Sequence, residues 1–316
     1  MSDQVKAIVV DAKAPGRLSV QTVSLAPAQP TDVTVRVTAI SLNRGETKRA
    51  VTQSEPGARP GWDFAGVVEE AAKRGGPPVG ARVVGYLLSG AWAERIRVPV
   101  QNVAVLPDGV TDAQASTLPV AGLTALHALR QGGLLLGQKV LIDGASGGVG
   151  HIAVQLAAAS GAIVCGHVRR EELKKAVSAW CNGGVAVGAS IEAARSLGPF
   201  HLILDSVGGQ TLATALTLLR DRGTCVTFGI SEAPTSTFES GNFFRLGGVR
   251  LYGLYIFEEL ARVEPASTGL ALLADLVRRK VLVPSIEVEA PWTDIGRIAT
   301  DLLDRKFAGK AVLYVQ

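Results

Sequence analysis

The stretch from Gly144 to Gly150, with the sequence Gly-Ala-Ser-Gly-Gly-Val-Gly, constrains the fold more than any other part of the chain. It follows the apolar run Val140 to Ile142, which is typical of a buried strand, and it precedes a predicted helix from Val149 to Ser160. From Lys139 onward the order of strand, glycine turn, helix and strand repeats several times. Such a repeat is typical of a parallel sheet with helices on both faces, so we predict a doubly wound α/β domain.

The first third of the chain is predicted to form mainly β-structure. Residues Val33 to Thr38 alternate apolar and polar side chains, and similar short runs follow between Gly and Pro residues. Thr111 and Gln114 have the spacing of a helix capping box. After the α/β region, helical patterns and a last strand, Ala311 to Val315, complete the chain.

Composition and charge exclude several classes of protein. The 316 residues suggest about two domains, and 47% hydrophobic residues argue against disorder. No apolar run approaches the roughly 20 residues of a membrane helix, and the N-terminus lacks a secretory signal pattern, so we expect a cytoplasmic protein without a membrane partner. The net charge is +4, but the basic clusters are short, and no specific nucleic-acid partner is expected. Three cysteines in no zinc spacing are expected to be reduced thiols.

The glycine-rich stretch has the context of a dinucleotide-binding loop. Gly147 allows the backbone to approach a pyrophosphate, and Gly150 allows the helix to pack close to the strand. The helix N-terminus offers unpaired amides to an anion. We therefore predict cofactor contacts from Ser146, Gly147, Gly148 and Val149. An ordinary tight turn is the alternative.

The end of the next predicted strand bears on the choice of cofactor. An NAD site places Asp or Glu there, whereas no acidic residue occurs from His151 through Arg170. The strand instead runs into Arg169 and Arg170, whose guanidinium groups match a 2′-phosphate, so NADP(H) is predicted. In the alternative, both arginines are solvated and Glu171 reaches the ribose. His167 is predicted to stack on or hydrogen-bond near the adenosine, with simple packing as the alternative.

Six short motifs carry a resemblance to a known family. They are Ser41–Glu46, Pro60–Val67, Leu118–Leu126, Gly144–Gly150, Asp205–Gly209 and Gly309–Leu313. On these motifs the whole chain resembles the medium-chain dehydrogenase/reductases, specifically the zinc-free quinone oxidoreductase branch that includes zeta-crystallin-like and enoyl-reductase-like proteins.

The resemblance implies an architecture. A GroES-like, β-rich catalytic domain would comprise residues 1–118, completed by 257–316, and a Rossmann NADP(H)-binding domain would comprise residues 119–256. It implies a nicotinamide cleft where the two domains meet. Relatives are commonly dimers that pair the edges of their Rossmann sheets, so a homodimer is expected, with Arg250 to Leu254 as the edge strand.

The resemblance also implies chemistry without a metal. Zinc-dependent relatives carry a Cys in the first motif and a His-Glu pair in the second, where this chain has Asn43 to Glu46 and Gly61 to Asp63. We therefore predict a zinc-independent, NADPH-dependent reductase that transfers a hydride to a quinone or an α,β-unsaturated carbonyl. One alternative is an enoyl-thioester reductase in which Lys48, Arg49 and Arg59 form a basic entrance to the active site. Another is an NADPH-binding sensor or structural protein with little turnover.

Individual site residues follow from the resemblance. Asn43 and Thr124 are expected beside the nicotinamide, although Asn43 could close a turn and Thr124 could bond back to a helix carbonyl. Lys48 stands where some relatives have a catalytic tyrosine, and an exposed lysine is the alternative. Further predicted contacts are the phenols of Tyr86 and Tyr255, backbone at the strand ends Val207, Gly229, Ile230, Leu254 and Tyr255, and the ammonium of Lys310, with a solvated lysine as the alternative for Lys310.

Overall fold

A computed structural model describes residues 4–315. The chain divides into two compact units. The first comprises Met1–Leu123 together with Leu260–Gln316, and the second comprises Thr124–Glu259. No helix among the described residues is long and apolar enough to cross a membrane.

The N-terminal elements are mostly strands. They are β1 (Gln4–Val10), β2 (Leu18–Ser24), β3 (Asp32–Ser41), α1 (Arg44–Thr52), β4 (Asp63–Glu70), β5 (Arg82–Tyr86), β6 (Arg95–Pro99), β7 (Val103–Val105), α2 (Asp112–Ser116) and α3 (Pro119–Arg130). The middle of the chain alternates strands with helices. Its elements are β8 (Lys139–Asp143), α4 (Gly150–Ala159), β9 (Ile163–Val168), α5 (Lys175–Ser178), β10 (Gly184–Val187), β11 (Phe200–Asp205), α6 (Gly209–Leu216), β12 (Leu219–Thr227), α7 (Ser240–Arg245), β13 (Arg250–Gly253) and α8 (Ile256–Arg262). The last elements are α9 (Ala266–Arg278), β14 (Ile286–Pro291), α10 (Ile295–Leu303) and β15 (Lys310–Tyr314).

The first unit is a GroES-like domain. Its larger sheet has the strand order β14-β15-β3-β4-β5-β7, with β6 also paired to β3, and β1 and β2 form a separate hairpin. The strand β15 pairs antiparallel with β3, so N-terminal and C-terminal segments of the first unit belong to the same sheet. Apolar side chains from β3, β4 and α10, including Ile40, Phe64 and Ile298, are packed in one core.

The second unit is a Rossmann-like domain. Its sheet has the strand order β10-β9-β8-β11-β12-β13, and every pairing in it is parallel. This is the doubly wound order of dinucleotide-binding folds, in which ligands bind outside the carboxyl ends of the strands. The strand β13 forms one edge of the sheet within the described residues. Homodimerisation through this edge stays a prediction.

The predicted elements match the structure where the apolar pattern is strong and differ where it is weak. The pattern of residues 171–180 also predicts a helix, but the structure has a 3-10 turn, Glu171–Leu173, followed by the four-residue α5. The helix α1 was not predicted, because its sequence is mainly polar and carries no apolar stripe. The predicted capping box is confirmed: the Thr111 hydroxyl accepts from the Gln114 amide at 3.1 Å, and the Gln114 side chain accepts from the Thr111 amide at 3.1 Å.

This cap gives a stability prediction. Thr111→Ala removes the acceptor for one N-terminal amide of α2 and is expected to lower the free energy of unfolding by about 1 kcal/mol in urea titrations. Thr52→Ala is the matched control, because the exposed Thr52 hydroxyl only donates back to the Lys48 carbonyl within α1. Equal losses for the two variants would contradict a capping role for Thr111.

Candidate cofactor and active site

The glycine loop joins β8 to α4 by a close backbone approach. Gly144 has a φ of +67°, which favours glycine. A Cβ on Gly150 would lie 2.1 Å from the carbonyl oxygen of Gly144. Only a glycine at the first position of α4 therefore lets the helix begin against the end of the strand.

The same loop presents unused hydrogen-bond donors. Within residues 4–315, the backbone N–H groups of Gly148 and Val149 donate to no other group of the protein. They lie directly before α4, where the positive end of the helix dipole adds to their attraction for an anion. A pyrophosphate fits this donor set, because it supplies several acceptor oxygens to amides that the fold leaves free.

The carboxyl end of β9 places two arginines in solvent. Arg170 Nε lies 3.2 Å from the Glu172 carboxylate. Arg169 is exposed and forms no ion pair with any described residue. Glu171, the alternative ribose ligand, pairs with Lys174 at 3.4 Å. Arg169 is therefore the guanidinium that remains available to a phosphate.

The structure narrows the prediction for His167 to stacking. Its ring is 2% exposed, with Nδ1 2.6 Å from an Asp143 carboxylate oxygen and Nε2 3.0 Å from the Gly188 carbonyl oxygen. Both ring nitrogens therefore lie within hydrogen-bond distance of protein acceptors, which leaves neither for a hydrogen bond to an adenosine. His167 joins the ends of β8 and β9, and stacking on the adenosine stays a prediction.

The remaining strand ends of the parallel sheet are placed as follows. The Asp205 carboxylate accepts from the amides of Val207 at 3.1 Å and Gly208 at 3.2 Å, and burial raises the pKa of Asp205. The Val207 amide therefore already has a partner, and a backbone contact of Val207 with the cofactor stays a prediction. Gly229 and Ile230 follow β12, and Ile230 is exposed.

The two predicted contacts at the end of β13, Leu254 and Tyr255, differ in exposure. Leu254 is buried, whereas Tyr255 is 61% exposed. The Tyr255 ring packs edge-on against Phe257 at a centroid distance of 5.4 Å. A buried apolar side chain has no polar group to offer, so Leu254 contributes at most its backbone.

Thr124 lies in α3 and is 5% exposed. Its hydroxyl makes no hydrogen bond to any described residue, and the alternative of a bond back to a helix carbonyl is therefore not realised. The hydroxyl retains both a donor and an acceptor for a ligand.

A buried polar cluster forms in the first unit, where β3, α1, β4 and β15 meet. Lys310 Nζ is 2.6 Å from Asn43 Oδ1, 3.0 Å from the Leu42 carbonyl oxygen and 3.5 Å from Asp63 Oδ2. Lys310 and Asp63 are 2% and 0% exposed. The three ammonium hydrogens of Lys310 have three protein acceptors, so the alternative of a solvated lysine is wrong. Lys310 therefore has no hydrogen left to donate directly to a cofactor.

Asn43 is the centre of this cluster. Its Nδ2 donates to Asp63 Oδ2 at 2.7 Å and to Glu46 Oε1 at 2.9 Å. The backbone N–H of Asn43 also donates to Glu46 Oε1, at 2.9 Å. Asn43 is the N-cap of α1. The alternative for Asn43, in which it closes a turn of the backbone, therefore agrees with this position.

The cluster holds its charges out of water. Burial and the nearby Asp63 charge raise the pKa of Glu46 well above its usual range. Burial also raises the pKa of Asp63, opposed by Lys310, and lowers the pKa of Lys310, opposed by Asp63 and Glu46. One oxygen of Glu46, Oε2, has no hydrogen-bond partner among the described residues.

The other two predicted side chains of the first unit have contrasting environments. Lys48 lies on the exposed side of α1, as the alternative stated, and makes no ion pair within the described part of the chain. Tyr86 is 6% exposed at the end of β5, opposite Asp63 in the sheet register, and burial raises the pKa of its phenol. Tyr86 therefore stays protonated at neutral pH.

Sequence reasoning missed three supporting residues: Glu46, Asp63 and Asp143. Each has a signal in hindsight, because a carboxylate beside or within an apolar strand must find partners when the strand is buried. Asp63 begins the buried strand β4 and Asp143 ends β8. Glu46 follows Asn43 by three residues, which is the spacing of a capping box. No group of three or more His, Cys, Asp or Glu among the described residues could hold a metal ion.

Two family models match the chain. The model described as alcohol dehydrogenase GroES-like domain matches residues 29–108, and the one described as zinc-binding dehydrogenase matches residues 148–271. The chain is a medium-chain dehydrogenase/reductase. This medium-chain dehydrogenase/reductase has the GroES-like and Rossmann-like units that the family resemblance implied.

Similar proteins include reductases of several acceptors. An acryloyl-coenzyme A reductase of Metallosphaera sedula is 29% identical over 72% of this chain and 65% of that protein. A quinone oxidoreductase of Pseudomonas syringae is 26% identical, with a TM-score of 0.84 over 98% of this chain and 99% of that chain. A 2-haloacrylate reductase is 26% identical, with a TM-score of 0.85 over 99% of each chain. The chain spans less than half the length of several other curated relatives that it matches.

The raised pKa of Glu46 predicts a pH-dependent stability. Because the folded state holds the Glu46 proton more tightly than the unfolded state does, ionisation destabilises the fold as pH rises above the unfolded value of about 4.3. Glu46→Gln removes this ionisation. In urea titrations we expect the stability difference between the two proteins to move in favour of the variant between pH 5 and pH 8. The exposed Glu55→Gln is the control, and parallel pH profiles for wild type and Glu46→Gln would refute this assignment.

Proposed function

We propose that this medium-chain dehydrogenase/reductase is a zinc-independent, NADPH-dependent reductase of quinones or α,β-unsaturated carbonyls. The observation that carries the proposal is the carboxyl end of β9, where Arg169 is exposed and unpaired within the described residues. A carboxylate that would repel a 2′-phosphate is absent from residues 151–170. A free guanidinium at this place favours NADPH over NADH.

The residues of the second unit fit the proposed cofactor in two places. The free amides of Gly148 and Val149 would hold the pyrophosphate, and Arg169 would hold the 2′-phosphate. When bound, NADPH would supply the hydride that reduces the acceptor. The chain must then orient the acceptor and stabilise the negative charge that develops on its oxygen.

Two hydroxyl groups have the properties of a donor to that oxygen. Thr124 is buried and keeps its hydrogen for a ligand. Tyr86 is buried and has a raised pKa, so it donates rather than ionises at neutral pH. We propose Thr124 as the first candidate and Tyr86 as the second, and Lys48 and Tyr255 are solvent-exposed alternatives.

The donor set argues against zinc at the position of the zinc site in metal-dependent relatives. Asn43 and Asp63 bond to each other and to Lys310, and the Trp62 indole N–H donates to the Leu88 carbonyl at 3.0 Å. None of these groups is a thiolate or an imidazole, the ligands that dominate tetrahedral zinc sites. The chain therefore supports polarisation of the acceptor by hydrogen bonds.

An acyl thioester is the second candidate acceptor. The acryloyl-coenzyme A reductase of Metallosphaera sedula is a relative. Lys48 and Arg49 are exposed cations without ion pairs among the described residues, and Arg49 lies over the Trp62 ring at 5.5 Å. Such a pair would suit the phosphates of a coenzyme A group. Arg59, the third residue of the expected basic entrance, instead donates to the Ser24 carbonyl oxygen.

If Arg169 binds the 2′-phosphate, its removal is expected to weaken the binding of NADPH and not that of NADH. Arg169→Ala is expected to weaken NADPH binding about 10- to 100-fold through the loss of a charge-assisted hydrogen bond, with little change for NADH, in fluorescence titrations. Arg170→Ala is the matched control, since its guanidinium already pairs with Glu172, and a smaller effect is expected. Tighter binding of NADH than of NADPH by the wild type would refute the assignment.

The acceptor class is tested by NADPH oxidation against 1,4-benzoquinone, an enone and a 2-enoyl-coenzyme A. We expect turnover of a quinone or enone, and Thr124→Val is expected to lower kcat about 10- to 100-fold by removing one donor to the developing oxyanion. Selective turnover of the thioester, with loss of affinity in a Lys48→Ala, Arg49→Ala variant, would favour the second candidate. NADPH binding without turnover of any acceptor would instead support a sensor.

A further inference from the structure

An open cavity of about 590 Å³ lies in the second unit. It is lined by residues of the 3-10 helix Ile191–Leu197, of α6 and of the segment 237–246, which contains α7. Its volume falls within the range of small-molecule sites, about 300–1,000 Å³. None of the residues predicted to contact the cofactor belongs to the lining. The cavity is therefore separate from the glycine loop and from the strand ends described above.

Two phenylalanine rings form an aromatic corner in this cavity. The ring centroids of Phe238 and Phe243 are 5.6 Å apart, and the ring planes are inclined at 56°. Phe243 is anchored by packing against the buried core of the unit, whereas Phe238 is 41% exposed. The other apolar side chains of the lining are Ala213, Leu216 and Leu246. Because the face of an aromatic ring is electron-rich, such a corner attracts a cation with an apolar body.

The charged groups of the lining leave one carboxylate without a counter-ion. Arg195 Nη2 donates to Glu192 Oε2 at 2.9 Å and to Thr217 Oγ1 at 2.8 Å, so the charges of Arg195 and Glu192 offset each other. Glu239 Oε2 accepts from the neutral Asn242 amide at 2.7 Å. Glu239 forms no ion pair with any described residue. The lining therefore has a surplus of negative charge at Glu239.

The aromatic corner and the surplus charge select one class of ligand. An anion gains little, because the Arg195 guanidinium is already paired with a carboxylate. A neutral apolar ligand would contact the rings and gain nothing from Glu239. A cation with an apolar body matches both features, since aromatic faces and a carboxylate each attract positive charge.

We propose that this cavity binds a small organic ammonium compound, whose apolar body contacts the aromatic corner and whose charge is compensated by Glu239. This inference does not depend on the proposed reductase function. It also gives a role to the exposed ring of Phe238, which the hydride transfer does not use.

The test compares three phenyl compounds of different charge in ligand-observed NMR titrations of the full chain. They are benzyltrimethylammonium, the neutral 3-phenylpropanol and the anionic 3-phenylpropionate. We expect saturable binding of the cation and affinity about 3- to 10-fold lower for the alcohol, because the alcohol lacks the charge that the rings and Glu239 attract. The anion is expected to bind more weakly than the alcohol.

Two variants with matched controls assign the binding to the cavity. Phe238→Leu is expected to lower the affinity for the cation about 3- to 10-fold. Phe244→Leu is its control, since Phe244 is 70% exposed and lies outside the lining. Glu239→Gln keeps an acceptor for Asn242 and is expected to lower the affinity for the cation about two- to fivefold, with no change for the alcohol. Glu55→Gln, in an exposed part of the first unit, controls for the lost charge.

Four outcomes would overturn the inference. They are absence of saturable binding of the cation, equal affinity for the cation and the alcohol, equal losses in Phe238→Leu and Phe244→Leu, and equal losses in Glu239→Gln and Glu55→Gln. Sedimentation of the wild type and of Phe238→Leu tests another occupant. Self-association that the wild type shows and Phe238→Leu loses would assign the cavity to a second copy of the chain, and would overturn the inference as well.

Discussion

The ion pair between Lys310 and Asp63 is the interaction on which the first unit depends. Both groups are fully buried, and taking two charges out of water costs several kcal/mol for each unless each finds partners. Asp63 finds Ser41, Asn43 and the Val120 amide besides Lys310. Removing one partner would leave the other charge buried and unpaired, at a cost of about 3–5 kcal/mol. The pairing of β15 with β3 brings Lys310 from the C-terminal part of the chain to this place.

The second unit has a comparable arrangement under its glycine loop. The ring of His167 joins the ends of β8 and β9 through Asp143, and Asp205 ties down the turn after β11 through two backbone amides. These buried groups use their own hydrogen-bonding capacity to fix the loops. The amides of Gly148 and Val149, which the fold leaves without a protein acceptor, are the ones that we propose as ligand contacts. Rigid support next to unsatisfied donors is the physical requirement for anion binding at a helix N-terminus.

Much of this could be read from the sequence, and the part that could not has a physical reason. The strand, glycine loop and helix around Gly150 were predictable because periodicity and a steric requirement act locally. The exposed position of Arg169 after β9 was predictable because a strand end is a local feature. The burial of Lys310 could not be predicted, since it depends on Asn43 and Asp63, which lie more than 240 residues earlier in the chain. The hydrogen-bond partners of His167 could not be predicted either, since Asp143 and Gly188 lie on neighbouring strand ends that only the folded sheet brings together.

The polar cluster also supports the proposal that hydrogen bonds, rather than a metal, polarise the acceptor. A Zn²⁺ ion needs ligands whose lone pairs are free, whereas the oxygens of Asp63 and Asn43 are already occupied by an ammonium and by amide hydrogens. The cluster therefore keeps its charges internally balanced and contributes no electrophile. The proposed reductase would be limited to acceptors that take a hydride without strong Lewis acid assistance, because a hydroxyl such as that of Thr124 stabilises an oxyanion less than a divalent cation does. Quinones and conjugated carbonyls meet that condition, since the incoming negative charge is delocalised over the acceptor itself.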